Sequence, residues 1–376
     1  MSNLFSIPDR APFGAGGEAQ DNTARKLRTP RGGLLGRVAT TLGRPPWIIL
    51  LCASLLAVNV EADRAGATGA DKANGQFYSI DGRRMRMVCE GPTGSSKPVV
   101  LFESGAFGFA GDWAYVQSQL TAQGVRSCAY DRAGMGLSEP ASAPRDGINV
   151  ARDLEKLLKA ANVPGPYVLV GHSMAGVRVH LFANRNRGKV AGLVLVDSTT
   201  PEATQDAAVM KYVTDFTSGA KAAALTARVG ILYLLSGTAL GDKVGLPPRE
   251  DAQKRAQFAS ASYNLTSYEE VRNWPLAAAQ ARATGPLNPA WPVAVISAGV
   301  LSADEGAQIQ ALQPPPALAS RHGLVSIVDG ATHNGLLGAQ YSSAIVQGID
   351  FVLDAQGLGP NERAETVHRG LAVAKG

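Results

Sequence analysis

Tyr167-Val168-Leu169-Val170-Gly171-His172-Ser173-Met174-Ala175-Gly176 reads as a buried strand that runs into a sharp turn carrying one serine and then into a helix. Four apolar residues, two of them valine, suit a strand covered on both faces. Small residues at Gly171 and Ala175 let the chain turn tightly enough to project Ser173. The helix that follows turns its N-terminal field toward that hydroxyl. The pattern departs by one residue from G-x-S-x-G, because Ala175 holds the fifth position and glycine arrives at Gly176.

Outward from this stretch, strand and helix patterns alternate as they do in a mostly parallel sheet covered on both faces. The apolar runs predict eight strands: a hairpin of 76–80 and 85–89 turning at Asp81-Gly82, then 98–103, 125–131, 167–171, 193–197, 292–296 and 324–328. Helical spacing falls over 112–123, 149–161, 174–186 and 342–355, and Val150, Leu154, Leu157 and Leu158 share one face of the second. The interval from about 199 to 290 is Ala-rich and lacks a strand-like run, so it reads as a helical insertion over the carboxyl edge of the sheet. Pro314-Pro315-Pro316 reads as a local loop.

The 376-residue chain is 45% hydrophobic and 18% charged, an ordinary balance for a globular protein with a full core. Its net charge of +5 is local: residues 1–45 hold seven of the 36 Lys/Arg and three of the 31 Asp/Glu, which leaves 29 against 28. The body is nearly neutral and shows no basic stripe interleaved with aromatics, so nucleic-acid binding has no support. The basic arm leads into an apolar run over 47–60, which has the order of an export signal. As a helix that run would span about 21 Å, short of the roughly 30 Å hydrocarbon core, which favours a signal segment over a span. Val60-Glu61-Ala62 offers small residues for cleavage, while the length of the leader keeps an uncleaved anchor open, with membrane association through 47–60. Either way the expected location is periplasmic or extracellular, or membrane-anchored with the body outside the cytoplasm. Cys52 lies in the apolar run, leaving Cys89 and Cys128, both in predicted strands, as a disulfide pair or as two buried thiols.

A serine hydroxyl needs a base within hydrogen-bond reach, and the base needs an acid to orient it. Of five histidines, His172 lies in the turn and is expected to point away from an exposed Ser173. His180 is expected to pack on the following helix, His322 precedes the last strand, and His368 falls in a loose tail. His333 follows the 324–328 strand on a loop leaving the same carboxyl edge as Ser173, where functional groups of open α/β sheets gather. It is the candidate base. Asp197, at the end of the 193–197 strand, is the favoured acid. Asp304 is the alternative, five residues past Gly299 on a loop that must be long and bent. Met174 N–H, the first amide after the serine, and Ala106 N–H, in Ser104-Gly105-Ala106-Phe107-Gly108, are the candidate donors to an oxyanion. Asp131-Arg132-Ala133-Gly134-Met135-Gly136-Leu137-Ser138 lacks the ending of a phosphate loop and reads as a structural turn bordering the pocket.

Gly-His-Ser-Met-Ala-Gly, Tyr-Asp-Arg-Ala-Gly-Met-Gly-Leu-Ser before it, Leu-Val-Leu-Val-Asp-Ser after it and Gly-Ala-Thr-His near the end together resemble the α/β-hydrolase superfamily over about 76–354. The order Ser, Asp, His agrees. The resemblance implies eight strands with the second antiparallel, a helical lid after strand six and no cofactor or metal. It puts the Cys89 strand beside the Cys128 strand, which makes a bridge between them plausible. Members whose acid follows strand six, as in some lipases and one branch of haloalkane dehalogenases, lend weight to Asp197, while Ser173 excludes the dehalogenases' own aspartate nucleophile. One departure is that the common His-Gly after strand three is here Ser104-Gly105. The expected organisation is a leader and linker over 1–75, a hydrolase core over 76–198 and 291–358, a helical cap over 199–290 and a tail over 359–376.

The function implied is a serine hydrolase acting on a small carboxylic ester or related acyl compound. The alternatives are a ligand-binding or sensing protein on the same pocket, and a C–C hydrolase or acyltransferase. Phe216, Ile231, Leu232, Tyr233 and Leu234 are expected either to meet an acyl group or to form the lid's own core.

Overall fold

Residues 167–172 form the central strand of a nine-stranded sheet, and every one of them is buried. The computed structural model describes residues 74–357, apart from 95, 239–240, 242–243 and 302, together with 367–370. The leader with its apolar run 47–60, and the rest of the tail, lie outside the described residues. Among the described residues no helix is long and apolar enough to cross a membrane.

All eight expected strands form: β1 (Gln76–Ile80), β2 (Arg83–Glu90), β3 (Val99–Glu103), β4 (Ser127–Tyr130), β5 (Tyr167–His172), β6 (Val190–Val196), β7 (Val293–Ala298) and β8 (Gly323–Val328). The tail read as loose contributes a ninth, β9 (Val367–Gly370), which pairs parallel to β8 and sets His368 opposite Val325. An edge strand can be held by backbone bonds alone, so this one leaves no apolar pattern in the sequence. The order is β1-β2-β4-β3-β5-β6-β7-β8-β9, with β2 antiparallel to β1 and β4 and the other pairs parallel. Cys89 and Cys128 face each other across β2 and β4 and are joined as a disulfide.

Period-two alternation in a strand covered on both faces explains why Tyr167–Val170 are all apolar. Leu169 joins a core layer with Leu101 and Leu193, under Leu154 and Leu157 of α2 (Gly147–Ala160) and Val177 of α3 (Ala175–Arg185). Val168 and Val170 join the opposite layer, under Leu120 of α1 (Ala114–Ala122) and the closing helix 342–354, numbered below. The predicted face of α2 is the buried one, and the helix starts at Gly147 because the Asp146 carboxylate accepts the Asn149 N–H at 3.2 Å.

Chain direction across the sheet reverses between β3 and β5, since β4 lies on one side of β3 and β5 on the other. Ser173 leaves β5 and the Ser104–Gly108 loop leaves β3, so both stand at this switch point. Over it lie the helices α4 (Ala207–Arg228), α5 (Ile231–Leu235), α6 (Pro248–Ala259), α7 (Ala261–Arg272) and α8 (Trp274–Arg282). The core then resumes with β7, α9 (Ala303–Ala311), α10 (Pro315–Ala319), β8 and α11 (Ser342–Asp354).

Candidate active site

Ser173 has φ 60, the left-handed region that non-glycine residues occupy only when their surroundings impose it. Three backbone bonds impose it: Ser173 N–H donates to the Val196 carbonyl at 3.0 Å, and its own carbonyl accepts from Gly176 N–H at 3.1 Å and Thr199 N–H at 3.2 Å. The shift of glycine from the fifth position to the sixth has a steric reason. A Cβ at Gly176 would lie 2.5 Å from the Thr199 carbonyl oxygen, whereas Ala175 is simply buried. Two further non-glycine residues with positive φ border this region, Phe107 at 53° and Asp197 at 42°.

Asp197 follows β6 and His333 follows β8, and the His333 Nδ1–H donates to Asp197 Oδ2 at 2.6 Å. The other carboxylate oxygen accepts from Gln313 Nε2 at 2.9 Å and from the Ala298 amide at 3.3 Å. Burial alone would raise the Asp197 pKa, but the bond from His333, its charge, Gln313 and the Ala298 amide outweigh burial and hold it at about 2. The carboxylate stays ionised. Asp304 stands in α9, and its side chain lies outside the described residues.

His172 does not point away. It is buried, its ring centroid lies 4.4 Å from that of His333, and its Nε2–H donates to the His333 carbonyl at 3.0 Å. The strand ends one residue later than expected, so His172 still carries strand geometry and faces the His333 loop rather than continuing the turn. Burial, then the neighbouring His333, lowers its pKa to about 3, so it is a neutral donor. His180 bonds the Gly285 carbonyl and packs as expected.

Ser173, His172 and His333 open onto one cavity of about 420 Å³, which Ala106 also lines. Its cap side is formed by Tyr212, Phe216, Phe258 and Tyr263. Of the cap residues singled out from sequence, Phe216 meets this space and Leu232 is buried. Ile231, Tyr233 and Leu234 are exposed and belong to neither cavity nor core. No acceptor among the described residues stands against the Ala106 or Met174 amides. A Cβ on Gly105 would come within 2.9 Å of Ser173 Cβ and 3.0 Å of the His172 carbonyl oxygen, so the loop and the elbow touch through that missing side chain.

Gln313, Lys254, Tyr263 and Glu270 carry no signal in the sequence that marks them as partners of the site. Gln313 precedes the triple proline, which is not the expected loop: Pro315 and Pro316 open α10, where a missing N–H costs nothing. The other three lie in cap helices, where nothing in local spacing marks a residue that reaches back to the core.

The family model for the alpha/beta hydrolase fold matches residues 98–314, and the chain belongs to that family. It is 35% identical over 121 residues to the uncharacterized protein YqjL of Bacillus subtilis, covering 32% of this chain and 46% of that one. It is 30% identical over 131 residues to an AB hydrolase superfamily protein of Gibberella zeae, covering 34% and 40%. The chain thus spans less than half the length of these curated relatives. Among solved structures it is similar in fold to Cfl2 of Burkholderia cenocepacia, with a TM-score of 0.60, 19% identity and coverage of 74% and 95%. The enol-lactonase of Burkholderia xenovorans gives 0.52, 18%, 74% and 99%.

Proposed function

We propose that the protein is a serine hydrolase that cleaves a small carboxylic ester or related acyl compound. The observation that carries the reading is the His333 imidazole, oriented by Asp197 and opening onto the same cavity as the strained Ser173. Asp197 fixes the tautomer with the proton on Nδ1, which leaves Nε2 free to take the Ser173 proton as Oγ attacks the carbonyl carbon. The oxyanion that forms is held by the Met174 and Ala106 amides. As the tetrahedral intermediate collapses, His333 returns the proton to the leaving alkoxide and an acyl group remains on Ser173. Water, deprotonated by the same imidazole, then releases the acid. Tyr212, Phe216 and Phe258 favour an apolar acyl or aryl group in the cavity. The Cys89–Cys128 bridge supports a location outside the reducing cytosol.

Ser173→Ala and His333→Ala are each expected to lower p-nitrophenyl ester turnover by several orders of magnitude, because members of such a unit fail together. A fluorophosphonate should label the native protein and not Ser173→Ala. Unchanged turnover in Ser173→Ala would reject the reading. Labelling without turnover of any ester would favour acyl transfer to an acceptor other than water.

A further inference from the structure

We propose that Arg132, held by Glu270 of the cap, is a positioning residue that aims the Ala106 amide at the oxyanion; the inference rests on Ser173 acting as nucleophile. A peptide unit is planar and trans, so the Gly105 carbonyl and the Ala106 N–H point in opposite directions. Whatever fixes the first aims the second. Arg132 Nη2 donates to the Gly105 carbonyl at 2.9 Å, where the Gly108 amide adds a longer bond at 3.2 Å, and Nη1 donates to the Ser104 carbonyl at 2.7 Å, where Arg178 Nη1 adds a bond at 3.1 Å. With these carbonyls turned to the guanidinium side, the Ala106 N–H points the other way; Ala106 lines the same cavity as Ser173, and no acceptor among the described residues meets its amide.

The guanidinium is itself fixed. Its Nε donates to Glu270 Oε1 at 2.8 Å, Nη2 to Glu270 Oε2 at 2.8 Å and Nη1 to Glu103 Oε1 at 3.0 Å, so all five of its N–H donors are used. Arg178 also reaches Glu270, at 3.1 Å, and the Tyr130 hydroxyl donates to Glu103. Two guanidinium and two carboxylate groups balance in a site where Arg132 and Glu270 side chains are each 1% exposed. A lysine has three donors and no plane, and cannot reproduce this fork. The far end of the loop is held from the cap as well. Phe107, at φ 53, offers its carbonyl to Lys254 Nζ at 2.8 Å and to the Tyr263 hydroxyl at 2.5 Å. Glu270, Lys254 and Tyr263 all belong to α6 or α7, so the cap acts on the donor as well as covering the substrate.

The test uses the full chain with Arg132→Lys and Glu270→Gln, p-nitrophenyl butyrate as substrate, and an aryl trifluoromethyl ketone that forms a tetrahedral oxyanion adduct on serine. Active sites are titrated so that rates refer to folded enzyme. Arg132→Lys is expected to lower kcat about 100-fold, the scale of losing one oxyanion donor, with KM within about twofold. Ketone affinity should fall by a similar factor. Glu270→Gln should lower both about 10-fold, and because it keeps the side-chain volume it carries the test if Arg132→Lys does not fold. A merely structural role would reduce the number of titrated sites and leave per-site kcat and ketone affinity unchanged; that result overturns the proposal, as does a rise in KM at constant kcat. A wild type that neither turns over esters nor reacts with a fluorophosphonate overturns the reading of Ser173 and this inference with it. An active wild type with unaffected variants overturns the positioning role alone.

Discussion

His333 and Asp197 stand 136 residues apart in the chain, yet a 2.6 Å hydrogen bond joins Nδ1 to Oδ2 because β6 and β8 flank β7 in the sheet. Asp197→Asn is therefore expected to lower kcat by about 10³- to 10⁴-fold, since an amide can present its N–H to Nδ1 and favour the wrong tautomer. Asp304→Asn should leave kcat within about twofold. Steady-state kinetics on both variants checks the assignment, and the opposite ranking would transfer the acid role to Asp304.

Stability toward acid should fall in two overlapping stages. His172 in the fold has its pKa lowered to about 3 by burial and then by His333, against 6.5 when free. Between those values the unfolded chain binds the extra proton, so stability drops as pH falls from 6.5 toward 3. Glu270 adds a lower stage. Burial opposes the shift, but Arg132 and Arg178 overcome it and hold the carboxyl at about 2 against 4.5. Its contribution is complete above 4.5 and is lost as pH falls through 2, on the order of 3 kcal/mol. Urea titrations across this range should show His172→Asn flattening the upper stage and Glu270→Gln reducing the lower one, to which Asp197, held at about 2 against 3.8, also contributes.

Gly105→Ala should damage catalysis more than folding. The new methyl would press on Ser173 Cβ and the His172 carbonyl, and a displacement of about 1 Å at the reacting atom costs roughly 100-fold in rate. Gly188→Ala, where a Cβ meets nothing within 4 Å, is the control and should behave as wild type. Equal kcat in the two variants would show that the loop does not bear on Ser173.

Replacing Cys89 and Cys128 together by alanine opens a covalent loop with a sequence separation of 39. Loop-closure entropy puts the loss near 4 kcal/mol, which calorimetry would read as a Tm lower by several degrees. Per-site turnover at 25 °C should be unchanged, because the bridge ties β2 to β4 and neither cysteine lines the cavity.

Phe216 lines the cavity, stacked on Tyr212 at 5.8 Å and edge-on to Phe107 at 6.0 Å. Phe216→Ala should shift the ester preference toward longer or bulkier acyl chains, read as the ratio of kcat/KM for octanoate over butyrate esters. An unchanged ratio would place the acyl group elsewhere.

The sheet was legible in the sequence because each of its central strands must be apolar on both faces, and turn residues bound each run. Ser173 was legible for the same reason, as the first polar position after His172 at the end of such a run. The cap was legible because the interval 199–290 is Ala-rich and lacks a strand-like run, and the resemblance made the Cys89–Cys128 pairing readable before register was known. Other features were not legible. β9 is held by backbone bonds that leave no side-chain signature. His172 faces the site because its strand continues one residue further, a detail of register that periodicity does not fix. Gln313 and Glu270 serve partners more than a hundred residues away, and only the fold brings them to Asp197 and Arg132.

The contact between Glu270 and Arg132 has a consequence for engineering. Cap exchange between relatives is an attractive way to change specificity, but a transplanted cap lacking a carboxylate at this point would strand a guanidinium in the interior. A recombined chimera should therefore carry residues 103, 132, 178 and 270 across as one inherited block.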